Sequence, residues 1–263
     1  MGIVYLALGA GDLVALKTIR RGLNHDAKAL ARFEKEIASQ RMVKSPFVAK
    51  VLDSDVGPTS AWIAMEYVAG VNLLDLLAPE SALSDGLWWS VAMGCASALA
   101  RTHKAGLIHR DLKPSNIIIS SSGPKIVDFG IARSTEDTSV TVTGVIPGSP
   151  AWLAPEQLDD SSLTSAVDIF TLGAVLYFCA AGRSPWGRLG QSSASTFMKA
   201  ISDKEPNFDD LDSDKVALLG PMLAKNPNDR PAALDIGSHI REIAGERLSH
   251  YFSWLEFHSL ESD

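Results

Sequence analysis

The groups best suited to chemistry lie in one short stretch, His109-Arg110-Asp111-Leu112-Lys113-Pro114-Ser115-Asn116. It sets a carboxylate between two cations and follows it with an amide. An ionised aspartate in hydrogen-bond reach of a hydroxyl can accept its proton without a raised pKa. Twelve residues past Asn116 comes Asp128-Phe129-Gly130. Asn and Asp supply hard oxygen ligands, and few of them suffice for a small divalent cation that also binds oxyanions. Upstream, Val14-Ala15-Leu16-Lys17 sets a compact cation on a predicted strand, and Phe33-Glu34-Lys35-Glu36 offers carboxylates on a predicted helix. Downstream stands Ala154-Pro155-Glu156. A base, several cations and hard oxygen ligands are the means of neutralising and positioning a strongly anionic group.

Elements must bring these groups together. Residues 3–8 and 12–19, rich in β-branched types around Gly9-Ala10-Gly11, predict a hairpin. Over residues 26–43, Leu30, Phe33 and Ile37 recur at helical spacing until Ser45-Pro46 stops the pattern. Residues 48–53 and 62–67 predict two more strands, separated by Asp55-Val56-Gly57-Pro58. Beyond Gly70, helical periodicity covers residues 87–104, 164–181, 215–224 and 232–248, with short strands at 117–119 and 125–127 joined by a turn at 120–124. No internal repeat is visible. Residues 203–214 carry six carboxylates and one lysine and read as a solvated loop.

In that order these strings match the protein-kinase signature set. The chain resembles the eukaryotic-like Ser/Thr protein kinases of bacteria, from residue 1 to about residue 245. Any one of the strings could arise by chance, and an isolated Asp-Phe-Gly is more often a turn. Four of them in order, one eight residues long, are specific. The resemblance implies an α+β, two-lobe kinase fold: residues 1–68 as a small antiparallel-sheet lobe with one helix and no first strand, 69–245 as a mainly helical lobe, and 246–263 as a tail.

It also assigns roles. Asp111 matches the base that accepts the substrate hydroxyl proton, and Lys113 the cation that neutralises the transferring phosphoryl group. Lys17 matches the lysine on the α- and β-phosphates of ATP, with Glu36 as its partner. Asn116 and Asp128 match the ligands of Mg²⁺, Mn²⁺ being the alternative metal. Val4 and Ala15 would roof the adenine, with Gly2 matching the last glycine of the loop that covers the phosphates; Ile118 would floor it, and Met65-Glu66-Tyr67-Val68 matches the hinge, whose backbone at Glu66 and Val68 would read the base. His109 reads as a buried structural histidine and Trp186 as packing. Glu156 should pair with Arg230, and Asp168 should hold the backbone of the catalytic loop. Thr141 and Thr143 resemble the double-threonine activation site of the bacterial branch, with Arg110 and Arg133 as phosphate partners and transfer between self-associating copies. Ser149 stands where the family usually has Thr, and Ile131 goes with a preference for Thr acceptors.

Composition sets the frame for these roles. Of 263 residues, 46% are hydrophobic and 21% charged, which excludes bulk disorder. Lys+Arg is 24 against 31 Asp+Glu, a net charge of −7, unsuited to wrapping a nucleic acid. Two cysteines, Cys95 and Cys179, read as reduced core residues of a cytoplasmic protein. No apolar run approaches the ~18–20 residues of a spanning helix, and the start lacks the basic stretch of a signal peptide. The expected reaction is therefore ATP-dependent phosphorylation of Ser and Thr hydroxyls in protein substrates. Two rivals remain: a pseudokinase or nucleotide-binding scaffold, and a small-molecule kinase of similar fold. The first draws on the glycine-rich loop, of which Gly2 and Val4 match only the last glycine and valine. That gap predicts weak nucleotide binding.

Overall fold

The computed structural model describes residues 3–9, 11–18, 27–57, 61–77, 81–128, 150–158, 163–189 and 193–248, with the backbone alone at 27–29, 32, 35, 36, 246 and 247. Strands β1 (Ile3–Gly9) and β2 (Asp12–Thr18) form the hairpin. Gly9 pairs with Asp12, so the turn is two residues long, and Gly11 takes a φ of 99° that a side chain would resist. Helix α1 (Ala27–Arg41) follows, burying Phe33 and Ile37 at the predicted spacing. Strands β3 (Val51–Val56) and β4 (Ala61–Glu66) complete an antiparallel sheet of order β1-β2-β4-β3. β3 begins three residues later than expected. Val48 instead bridges to Ile126, so the stretch 48–51 is divided between two sheets.

The second half opens with β5 (Gly70–Asn72) and the single turn α2 (Leu73–Leu76), capped by the Asn72 side chain accepting the Asp75 N–H at 2.9 Å. Helix α3 (Asp85–Lys104) leads to a 3₁₀ turn at Pro114–Asn116 and then to β6 (Ile117–Ser120) and β7 (Gly123–Ile126). These strands make an antiparallel sheet of order β5-β6-β7. The β6–β7 turn is tighter than the predicted one, with Ser120 paired to Gly123. Helices α4 (Ala166–Ala181), α5 (Ala194–Asp203), α6 (Ser213–Met222) and α7 (Ala233–Ala244) finish the lobe. The last predicted helix breaks at Gly245, whose φ is 45°, and continues as a 3₁₀ turn.

One connected apolar core runs through both halves. Its centre is α4, every residue of which from Val167 to Cys179 is buried. A helix apolar on all sides has no solvent face and must be surrounded. Trp88 and Trp89 of α3 meet edge to face at 4.7 Å, and Trp88 Nε1 donates to the Leu176 carbonyl of α4 at 2.8 Å. Trp186 stacks on Phe170 at 5.8 Å, the packing role expected of it. Cys95 and Cys179 are buried, and burial pushes the Cys95 thiol up to about 12. The fold is thus the expected two-lobe α+β architecture. The 42–50 segment is an exception to a clean division between lobes: Ala49 N–H donates to the Ile126 carbonyl at 3.0 Å and Ile126 N–H to Phe47 at 2.8 Å.

Candidate active site

A cavity of about 330 Å³ lies between the two sheets. Val4 of β1 and Ala15 of β2 form one wall, Ile118 of β6 the other, and Met65, Glu66 and Val68 close the end where β4 becomes the connector. Asn116 and Asp128 form its polar end. Flat apolar walls with hard oxygens at one end suit a planar base carrying an anionic tail and a divalent cation.

Lys17 reaches the polar end from β2, where it faces Ile63 of β4, and its Nζ pairs with the Asp128 carboxylate. Asp128 has a φ of 58° and Arg110 of 62°. Non-glycine residues held in the left-handed region cost roughly 1–3 kcal/mol each, and here both flank the cleft's polar groups. Arg110 is held by Asp168, which accepts the backbone N–H of His109 at 2.8 Å and of Arg110 at 2.9 Å. His103, at the end of α3, contacts the same carboxylate at 2.8 Å through Nε2.

Asp111 sits among donors. Lys113 Nζ lies 2.9 Å from its Oδ2, and Asn116 Nδ2 donates to its carbonyl at 2.8 Å and to Oδ2 at 3.3 Å. With the amide nitrogen so engaged, Oδ1 is the atom Asn116 has left for a ligand. The Pro114–Asn116 turn makes this geometry: Asn116 N–H donates to Lys113 at 2.9 Å, and the Asn116 carbonyl accepts from Val127 at 2.9 Å, beside Asp128. Burial pushes the His109 pKa below its ordinary value, against the pull of Asp168, Asp111 and Asp128. Its Nδ1 accepts the Asp111 N–H at 3.3 Å, so the neutral ring supports the loop as a structural histidine.

The sequence matches the family described as protein kinase domain over residues 1–240. This chain belongs to the protein kinase domain family. It is 42% identical to the serine/threonine-protein kinase AfsK of Streptomyces griseus over 96% of its length and 35% identical to AfsK of Streptomyces coelicolor over 91%. Each alignment spans 30% of the relative, so the chain corresponds to under a third of those proteins. PknB of Mycobacterium tuberculosis is 34% identical over 82% of the chain and 36% of the relative. The kinase domain of PknI from Mycobacterium tuberculosis shares the fold, with a TM-score of 0.71 at 24% identity, covering 93% of this chain and 91% of that one. The chain is thus a bacterial eukaryotic-like Ser/Thr kinase catalytic domain, and such domains use ATP with a divalent metal.

The kinase domain brings Lys17, Asp111, Lys113, Asn116 and Asp128 to the mouth of one cleft, with Val4, Ala15, Met65, Glu66, Val68 and Ile118 along it. Gly2, Phe129, Gly130, Ile131, Arg133, Thr141, Thr143 and Ser149 lie outside the described residues, as does the side chain of Glu36. Lys17 was expected to meet Glu36; among the described side chains its partner is Asp128. At Glu66 the N–H is given to the Lys50 carbonyl at 2.8 Å. Glu156 and Arg230 form the expected pair, bidentate at 2.6 and 2.8 Å. Arg230 further donates to the carbonyls of Ala224, Ala166 and Lys225 and lies over the Phe170 ring, so its donors are well satisfied. Sequence reasoning missed two groups. His103 stands a few residues before His109, but nothing in its spacing tells of the carboxylate of α4. Lys125 lies in a predicted strand, and its partner Glu66 is 59 residues away.

Proposed function

We propose that this domain transfers the γ-phosphoryl group of ATP to Ser and Thr hydroxyls of proteins. The single observation that carries the reading is the juxtaposition of Asp111, Lys113 and Asn116 with Lys17 and Asp128 at the polar end of an apolar cleft. Phosphoryl transfer needs positioning and charge neutralisation more than covalent chemistry. Asp111 accepts the acceptor hydroxyl's proton, Lys113 neutralises the transferring oxygens and Lys17 binds the phosphates. Asn116 Oδ1 and the Asp128 carboxylate fit Mg²⁺, or Mn²⁺ in its place, and the metal supplies charge neutralisation between phosphates. Val4, Ala15, Met65, Val68 and Ile118 enclose adenine, with Gly2 as the last glycine of the loop over the phosphates. Glu36 fixes Lys17 in the state ready for transfer.

Regulation through Thr141 and Thr143 belongs to the same reading, with phosphate passed between copies of the chain and received by Arg110 and Arg133. Arg110 supports it: its Nε is buried and has no hydrogen-bond partner among the described residues. The kinase unit spans residues 1–245, the lobes meet near residue 68, and 246–263 is a tail. Among the described residues no helix is long and apolar enough to cross a membrane. Buried free thiols and the use of ATP support a cytoplasmic location.

Incubation of the purified chain with labelled ATP, Mg²⁺ and a generic basic protein tests this. Label on Ser and Thr of the added protein is expected. Nucleotide binding without label would favour the scaffold reading, which the incomplete glycine pattern suggests and which the kinases named above do not support.

A further inference from the structure

The Glu66 carboxylate joins three parts of the molecule. Its Oε1 pairs with Lys125 Nζ of β7, and its Oε2 accepts the Lys50 backbone N–H at 3.2 Å. Main-chain bonding doubles the second link, since Glu66 N–H donates to the Lys50 carbonyl. The pair is not a loose surface bridge: the Lys125 side chain is only 11% exposed. Lys125 stands directly opposite Ile118 across β6 and β7. Opposed residues on neighbouring strands share a face. The lysine stem therefore lies on the side of the sheet from which Ile118 lines the cleft. The segment arriving at Lys50 is anchored to the same strand through Ile126, and to α3 through Arg101 Nη1, which donates to the Lys44 carbonyl at 3.2 Å. β7 thus holds both the segment that leads into β3 and the residue that ends β4.

We propose that Lys125 is a positioning residue for adenine: through the Glu66 carboxylate it fixes the end of β4 at the edge where the base is read. This rests on the cleft being the nucleotide site. Lys125 touches no phosphate in this arrangement, since its ammonium is directed to Glu66, so its loss weakens the base contact and not the phosphate contact. Lys17 is the counterpart, placed at the phosphate end.

Adenosine and ATP titrations separate the two. Lys125→Met is expected to weaken adenosine and ATP by the same factor, about three- to tenfold, the range of one ordinary net hydrogen bond. KM for ATP rises with it, kcat changes less, and Lys125→Arg restores most of the affinity. Lys17→Met weakens ATP and leaves adenosine alone. Glu66→Gln reproduces the adenosine loss, and combining it with Lys125→Met adds nothing further. Unchanged adenosine affinity in Lys125→Met overturns the proposal, as does a loss confined to ATP, additive losses in the double variant, or a raised kcat at unchanged affinity. Should Lys125→Met fail to fold, Glu66→Gln decides, because normal adenosine binding in that variant is equally fatal. A wild-type chain that bound neither ligand would remove the nucleotide reading itself; a wild type that binds both with indifferent variants removes only the role of Lys125.

Discussion

β1 and α4 mark the two extremes of this molecule. Ile3, Val4, Tyr5 and Leu6 of β1 are all exposed, whereas α4 is buried without a break from Val167 to Cys179. Among the described residues β1 pairs on one edge only, with β2; α4 is enclosed by α3, α6 and the 3₁₀ turns around it. The difference separates two tasks. Asp111 hangs on the buried lobe, through Asp168 in the first turn of α4. Lys17 hangs on a thin sheet with little behind it. Groups that must hold a fixed geometry are tied to the packed lobe, and groups that cover a ligand which must enter and leave are on the lighter one.

The sharpest way to break this division is Asp111→Asn. Turnover should fall by about 10²–10⁴-fold, the usual contribution of a general base, while ATP affinity by titration stays near normal. If both fall together, the lobes do not divide the work as described. Next is the asymmetry of ion pairs. Glu156→Ala strands Arg230 in the core and should cost roughly 3–5 kcal/mol in denaturant unfolding. Arg41→Ala, which removes the exposed Arg41–Asp53 contact of 3.9 Å in the thin lobe, should cost no more than about 1 kcal/mol. Equal costs would abolish the contrast.

Packing gives a smaller effect. A Cβ on Gly173 of α4 would stand 3.1 Å from Met222 Cβ and 3.1 Å from Leu223 Cδ2. Gly173→Ala should therefore destabilise by about 1–3 kcal/mol. Gly86→Ala meets nothing within 4 Å and should be neutral or stabilising by about 0.4–1 kcal/mol in the same melts. The smallest effect is pH-linked. His109 has a lowered folded pKa, so below the ordinary imidazole value of 6.5 the unfolded chain takes up the proton first. Stability is then full above that pH and declines as pH falls through it, by at most about 1.4 kcal/mol per pH unit. His109→Gln should flatten that slope in melts from pH 7.5 to 5; an unchanged slope would free the histidine from this role.

Legibility in sequence followed the same division. The catalytic strings, the strands β1, β2 and β4 and the helices α1, α3, α4, α6 and α7 were readable because periodicity and motif order are local properties. β5 and α2 were missed because three- and four-residue elements are too short to show a period. α5 was missed although Phe197 and Ile201 recur at helical spacing, because its Ser- and Thr-rich start, capped by Ser193, reads as loop. β3 was misplaced because Val48 and Val51 look alike in sequence and differ only in which sheet takes them. The Lys17–Asp128 and Lys125–Glu66 pairs depend on how two sheets face each other, which no window of residues contains.

The Asp168 carboxylate has a consequence for local opening. The amides of His109 and Arg110 belong to an irregular loop, the kind of backbone that normally exchanges its hydrogens quickly. Both donate to a side chain rooted in the most enclosed helix of the chain. The loop must leave that carboxylate before they are released, so their solvent exchange should be slower than that of the amides of β1. The loop that carries the chemistry is in that sense a surface extension of the interior, and its stability is set by residues that no ligand touches.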